Sequence, residues 1–373
     1  MGWTITGGWN FSGGMSIVSP PPPAPRLYSW GFNPFGTLGQ NDAVSRSSPT
    51  QVGALATWNL VSTSRYVTAA VKTDGTLWSW GYNVYGGLGT NDLVYKSSPT
   101  QVGVGTNWNL VSVGWYNVMA TRTDGTLWTW GYNGQGQLGT NDRANRSSPV
   151  QVGVGTNWSQ ISVGRYNVMA TRTDGTLWTW GMNSQGQLGQ SDRVYRSSPT
   201  QVGVLTTWSL VSTGYYTSMA IKTDGTLWAW GMNSQGQLGQ NNGSYRSSPT
   251  QVGVGTNWSQ VSTNAYSTAA VKTDGTLWAW GFNAYGGLGQ NDLVYRSSPT
   301  QVGAATTWSL VSVGPYNTSA IKKDGTLWTW GWNNYGELGT NDRANRSSPT
   351  QVGVATTWSQ ISAGSHTPMA ILN

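Results

Sequence analysis

Short apolar runs separated by small polar turn residues dominate the chain, and four strands read directly from residues 158 to 203. WSQISVG (158–164) and NVMATR (167–172) give the first two, TLWTWG (176–181) the third and SPTQVG (198–203) the fourth. Between the second and third lie Thr173, Asp174 and Gly175, and Asp-Gly tolerates the positive φ that a tight hairpin turn requires. Trp178 and Trp180 stand two residues apart on one strand, so both point to the same face while Leu177 and Thr179 point to the other.

This pattern returns every 50 residues without slippage: Trp30, Trp80, Trp130, Trp180, Trp230, Trp280 and Trp330 share one phase. A unit of this size is a small sheet that cannot bury its own faces. Seven of them predict an all-β, seven-bladed β-propeller of four-stranded antiparallel blades. The paired tryptophans should fill the space between blades, joined by a third at Trp58 and its six equivalents. Each aromatic can bury roughly 150–250 Å², so inter-blade packing is expected to dominate stability.

The chain ends predict how the ring closes. MAILN (369–373) is in phase with a second strand, and APRLYSW (24–30) with the third strand that should follow it. One blade is therefore assembled from both termini, and residues 24–373 form the propeller. Residues 1–23, Gly-rich and ending in PPPP (20–23), read as a tether or assembly segment.

Composition narrows the function. Only 9% of residues are charged, and the formal charge of +7 is not clustered. Arg46, Lys96, Arg146, Arg196, Arg246, Arg296 and Arg346 recur once per repeat, which suits solvated or turn-pairing roles and makes nucleic acid an unlikely partner. The chain has no cysteine, hence no disulfide framework and no thiol nucleophile. No apolar run approaches the length of a membrane-spanning helix, and the first residues lack the basic and apolar regions of a secretory signal.

Catalysis finds little support. Six of the 13 acids sit in DGT turns and six more in Asn-Asp or Ser-Asp steps, where both sets look like turn formers. Glu337 is the only Glu and His366 the only His, so no enzyme, cofactor or metal centre is expected. GYNGQGQLGTND (131–142) does carry Gly134, Gly136 and Gly139 in the spacing of a dinucleotide-binding loop. Gly134 has no counterpart in the other copies, and no helix start follows to receive a pyrophosphate.

The string W-G-x-N-x-x-G-x-L-G, present in all seven copies, resembles the repeat of the regulator of chromosome condensation family, and the resemblance covers residues 24–373. It implies the same seven-bladed propeller. The family's histidine survives only as His366, with Tyr66, Tyr116, Tyr166, Tyr216, Tyr266 and Tyr316 at the equivalent positions. Its founding member implies a small-GTPase exchange factor or chromatin binder, yet no inserted wedge or basic tail matches here.

Departures of the chain from its own template point to a binding surface. Arg65, Trp115, Arg165 and Tyr215 occupy the most variable phase, and the loops after the third strands vary as well, with Tyr85, Tyr285, Tyr335 and Trp332 among them. Strand direction places all of these on one face. That face is expected to hold the ligand, a protein or a glycan, because exposed Tyr, Trp and Arg suit both. The low-charge, Tyr- and Asn-rich surface suggests an adhesion module outside the cytoplasm. An intracellular regulator is the alternative.

Overall fold

The computed structural model describes residues 24–54 and 57–373, so the tether expected at 1–23 lies outside the described residues. Seven four-stranded antiparallel sheets are arranged as blades around one axis. In blade 3 the strands are a (Trp158–Val163), b (Asn167–Arg172), c (Leu177–Gly181) and d (Arg196–Gln201), running from the axis to the rim. The first three agree with the sequence expectation. Strand d begins two residues earlier, because Arg196 pairs with Gly181 across a bulge. Pro199 is tolerated there because strand d is an edge and its outward side needs no amide donor.

Burial follows distance from the rim. Strand b is buried along nearly its whole length, whereas strand d is half-buried throughout. That is why NVMATR reads as small and mostly apolar without a two-residue alternation: both of its faces are covered.

The apolar core is divided among the blade interfaces rather than gathered at one centre. Met119, Leu127 and Val152 of blade 2 pack with Trp158, Val168, Ala170 and Trp180 of blade 3. Trp180 is fully buried, and its indole Nε1 donates to the carbonyl of Gln137 in the preceding blade at 3.0 Å. Trp178 is half-buried and packs edge-on to Trp158 at 6.2 Å, with Arg172 stacked over it at 4.0 Å. Both tryptophans therefore share the inter-blade face, as their spacing requires.

A second set of bonds ties each blade to the next through the loop between c and d. Asn141 adopts φ 61° and donates its backbone N–H to the Ser197 carbonyl at 2.8 Å. Gly136 allows this approach: a Cβ there would stand 2.8 Å from Ser197 Cα. The fixed residues of the repeat loop are thus fixed by the neighbouring blade.

Ring closure is as expected. Blade 7 orders its strands Arg46–Gln51, Arg26–Gly31, Met369–Leu372 and Trp358–Ser362, so the C-terminal strand lies between two others and pairs with both.

Candidate functional site

The axis is organised by one serine per blade. Each Oγ of Ser62, Ser112, Ser162, Ser212, Ser262, Ser312 and Ser362 accepts the backbone N–H of the residue one position further on in the next blade. These bonds span 2.9–3.1 Å, and the one from Thr63 to Ser362 completes the circle. A hydroxyl that accepts still has its own proton to donate. The serines line an axial cavity of about 180 Å³.

The most variable phase sits at the mouth of this cavity. Tyr215 crosses from blade 4 to blade 7, where its hydroxyl meets Ser365 Oγ at 3.2 Å. Trp115 packs edge-on against Tyr215 with centroids 4.8 Å apart. Arg165 lies 3.8 Å over the Trp115 ring, and Arg65 lies 5.5 Å over Tyr66 and 5.9 Å from Trp115. The remaining three positions are Ala265, Pro315 and Ser365, all buried and small. Seven identical large side chains cannot meet at one axis, so a plug there has to be unsymmetrical. This packing requirement accounts for part of the variation read from the sequence. Burial pushes the Tyr215 phenol well above the usual tyrosine range, and Arg65, Trp115, Arg165 and Tyr215 are all partly exposed.

Around the plug the same face carries two arcs of aromatic side chains. In the first, Tyr66 stacks on Tyr116 at 4.6 Å, Tyr82 meets Tyr95 at 4.7 Å, and Tyr85 links Tyr116 to Tyr132 at 5.2 and 5.0 Å. In the second, Tyr285 contacts Tyr316 at 5.3 Å, Trp332 contacts Tyr335 at 5.5 Å and His366 at 4.8 Å, and Phe282 contacts Tyr295 at 4.9 Å. Tyr285 and Tyr335 are 38% and 39% exposed, enough to meet a partner. Blades 3 and 4 interrupt the arcs with Met182, Gln185, Met232 and Gln235. The structure therefore gathers Tyr85 into one arc, Tyr285, Tyr335 and Trp332 into the other, and the four plug residues between them. Sequence reasoning missed Tyr82, Tyr95, Phe282 and Tyr295. Their signal was available: Tyr82 and Phe282 share the phase of Trp332, and Tyr95 and Tyr295 share one further phase with Tyr195 and Tyr245.

Glu337 and His366, the only residues of their kinds, meet beside the second arc. Glu337 is fully buried; its Oε2 accepts the Tyr335 N–H at 2.9 Å, and its Oε1 stands 3.4 Å from His366 Nδ1. Gln137, Gln187 and Gln237 make the same bond with an amide in their own copies. The carboxylate thus occupies a packing position of the loop.

The recurring cations are turn partners. Six of the seven pair with an Asp four residues earlier, as Arg196 does with Asp192 at 2.6 Å; in the copy of Arg246 that position is Asn242. The DGT aspartates behave alike: Asp174 accepts from the Thr176 hydroxyl and from its backbone N–H, in that order of influence, and its carboxyl is held below the usual range. All twelve aspartates are lowered in this sense. A carboxyl with a lowered folded pKa contributes stability that is complete above the unfolded value of about 3.9 and is lost as pH falls through the folded value. Thermal scans should show Tm falling steeply below about pH 4. A Tm that rises on acidification from about pH 4 to 2 would contradict these turn roles.

Among the described residues, no group of three or more His, Cys, Asp or Glu gathers to hold a metal, and no helix is long and apolar enough to cross a membrane. The opposite face carries one feature absent from the sequence reading. Val104, Val154, Val204, Val254 and Val354 stand 88–94% exposed at five of the loops between d and the next a.

The fold and site define a closed seven-bladed propeller with one differentiated loop face. Residues 26–370 match the family described as RCC1-like domain, and the chain belongs to that family. Among solved structures it resembles human WBSCR16, with a TM-score of 0.84 at 20% identity over 94% of this chain and 99% of that one. It also resembles Prp20p of Saccharomyces cerevisiae, with a TM-score of 0.84 at 18% identity over 94% and 92%. That structure is described together with Prp20p's binding to Gsp1p and histones. Yeast RCC1 (Prp20) with Kap60 bound gives 0.83 at 17% identity over 94% and 89%. No curated protein matches in sequence.

Proposed function

We propose that this protein is a non-catalytic, protein-binding propeller that docks its partner on the face bearing the two aromatic arcs and the axial plug. The observation that carries the reading is the concentration of partly exposed Tyr, Trp and Arg on that face, in loops held by a rigid ring. A protein partner is supported over a glycan, because Prp20p is described with protein partners. The same comparison supports a regulatory binding role over adhesion.

A photo-crosslinker placed at Tyr285 or at Tyr335 should capture the partner, whereas one at Asp124 or Asp224 on the opposite face should not. Once the partner is purified, Y285S/Y335S should weaken its binding by about tenfold or more, the loss expected of central aromatic anchors. Capture confined to the opposite face would overturn the assignment.

A further inference from the structure

We propose that the mouth of the axial cavity is a carboxylate-binding site, with Arg65 and Arg165 as its two cations and the Trp115 indole N–H as a third donor. The proposal rests on the docking face argued above and names the chemistry at its centre.

Charge is the first observation. Among the described residues, neither Arg65 nor Arg165 has an acidic group within ion-pair distance, although six of the repeat cations elsewhere do. Both guanidiniums lie against the one Trp115 ring, at 5.9 and 3.8 Å. Two cations held beside a single indole repel each other. A shared anion would relieve that repulsion.

Unsatisfied donors are the second observation. Arg65 Nε and Arg165 Nε are buried without a hydrogen-bond partner, and the buried Trp115 Nε1 makes only a long contact to the Tyr215 hydroxyl. Two residues after Trp115 and Arg165, at the starts of their b strands, Asn117 and Asn167 are buried and lack partners for both amide atoms. Buried donors in folded proteins are almost always paired. Unpaired donors gathered around the Trp115 ring mark a place that a polar ligand completes.

Shape is the third. A guanidinium stacked on an aromatic face keeps its N–H edge free, and that edge matches the two oxygens of a planar carboxylate. Beneath it the serine hydroxyls supply further donors and no acidic side chain lines the cavity. Tyr215 and Ser365 bridge the opening between blades 4 and 7, their hydroxyls 3.2 Å apart.

The carboxylate could belong to a free acid or to an acidic residue of the docked protein, and the test separates these sources. Arg and Trp side-chain N–H resonances are followed by NMR during titration with N-acetylglutamate, with a Gly-Glu-Gly peptide capped at both ends, and with the equally capped Gly-Gln-Gly peptide as the neutral control. Saturable shifts at Arg65, Arg165 and Trp115 with the first two probes, absent with the third and weakened by salt, are expected. Shifts with N-acetylglutamate alone would assign the site to free acids. R65Q/R165Q should bind about tenfold more weakly or worse, and W115F, which keeps the ring and removes the donor, should weaken binding less. Unchanged Tm values would show that both variants remain folded.

Equal shifts with the capped Gly-Gln-Gly peptide, no shift with any probe, or tighter binding of inorganic phosphate would overturn the proposal. The docking reading fails separately, because it is judged by crosslinks and affinity changes at Tyr285 and Tyr335.

Discussion

A chain ending at Pro368 should fail to give a soluble protein with a cooperative thermal transition. Only five residues are lost, but four of them form the strand Met369–Leu372 that joins Arg26–Gly31 to Trp358–Ser362. Met369 and Ile371 are each 1% exposed, and burying two such side chains contributes roughly 3–6 kcal/mol. The deletion also strips ladder hydrogen bonds from both neighbours and opens two strand edges in the middle of a blade. Against a typical total stability of about 5–15 kcal/mol, the loss is disabling. The complementary experiment moves the break. A chain beginning at Trp58, with Asn373 joined to Ala24 and the substitutions Ala24→Asp, Pro25→Gly and Arg26→Thr, recreates the DGT turn of the other six blades. It should fold with a Tm at least equal to that of the parent. A truncated protein that unfolds cooperatively at the parental Tm would show that the ring is not closed by this strand.

The second large effect is expected at Trp180→Ala. Trp180 is fully exposed to neither solvent nor cavity; it is 0% accessible and spans the interface between blades 2 and 3. Large-to-small changes at such sites cost about 3–5 kcal/mol. The Gln137 carbonyl also loses the indole donor. If the ring unfolds as a unit, Tm should fall by about 5 °C or more. Trp178→Ala should cost less, because Trp178 is half-buried and its chief partner, Arg172, keeps Trp158 to stack on at 4.6 Å. Differential scanning calorimetry of both variants decides the matter. Equal losses would mean that inter-blade burial does not set stability.

The architecture was legible because each local signal recurs seven times. The Trp pairs, the Asp-Gly turns and the phase of MAILN specify the blade, its hairpin and its closure. Strand d was misplaced by two residues because its start is set by a bulge opposite Gly181, which apolar alternation does not record. The candidate face was legible from chain direction together with departures from the repeat. The arcs were only partly so: Tyr85 and Tyr335 stand out because their phase alternates between aromatic and Gln, whereas Tyr82 and Phe282 sit where every copy is bulky. Glu337 and His366 looked isolated in sequence and lie in contact, since neighbouring blades bring a c–d loop against the next a–b loop.

The sequence by itself determined the number of blades, their strand order, the closing strand and the face on which the copies differ, because repetition turns weak local preferences into a consistent pattern. Only the tertiary structure decided what the differing residues do. Around a sevenfold axis the equivalent positions converge on one point, so Tyr215 becomes a plug and Ala265 leaves it room, while Arg65, Trp115 and Arg165 are left with unpaired donors at the opening. That convergence belongs to the closed ring and to no single repeat.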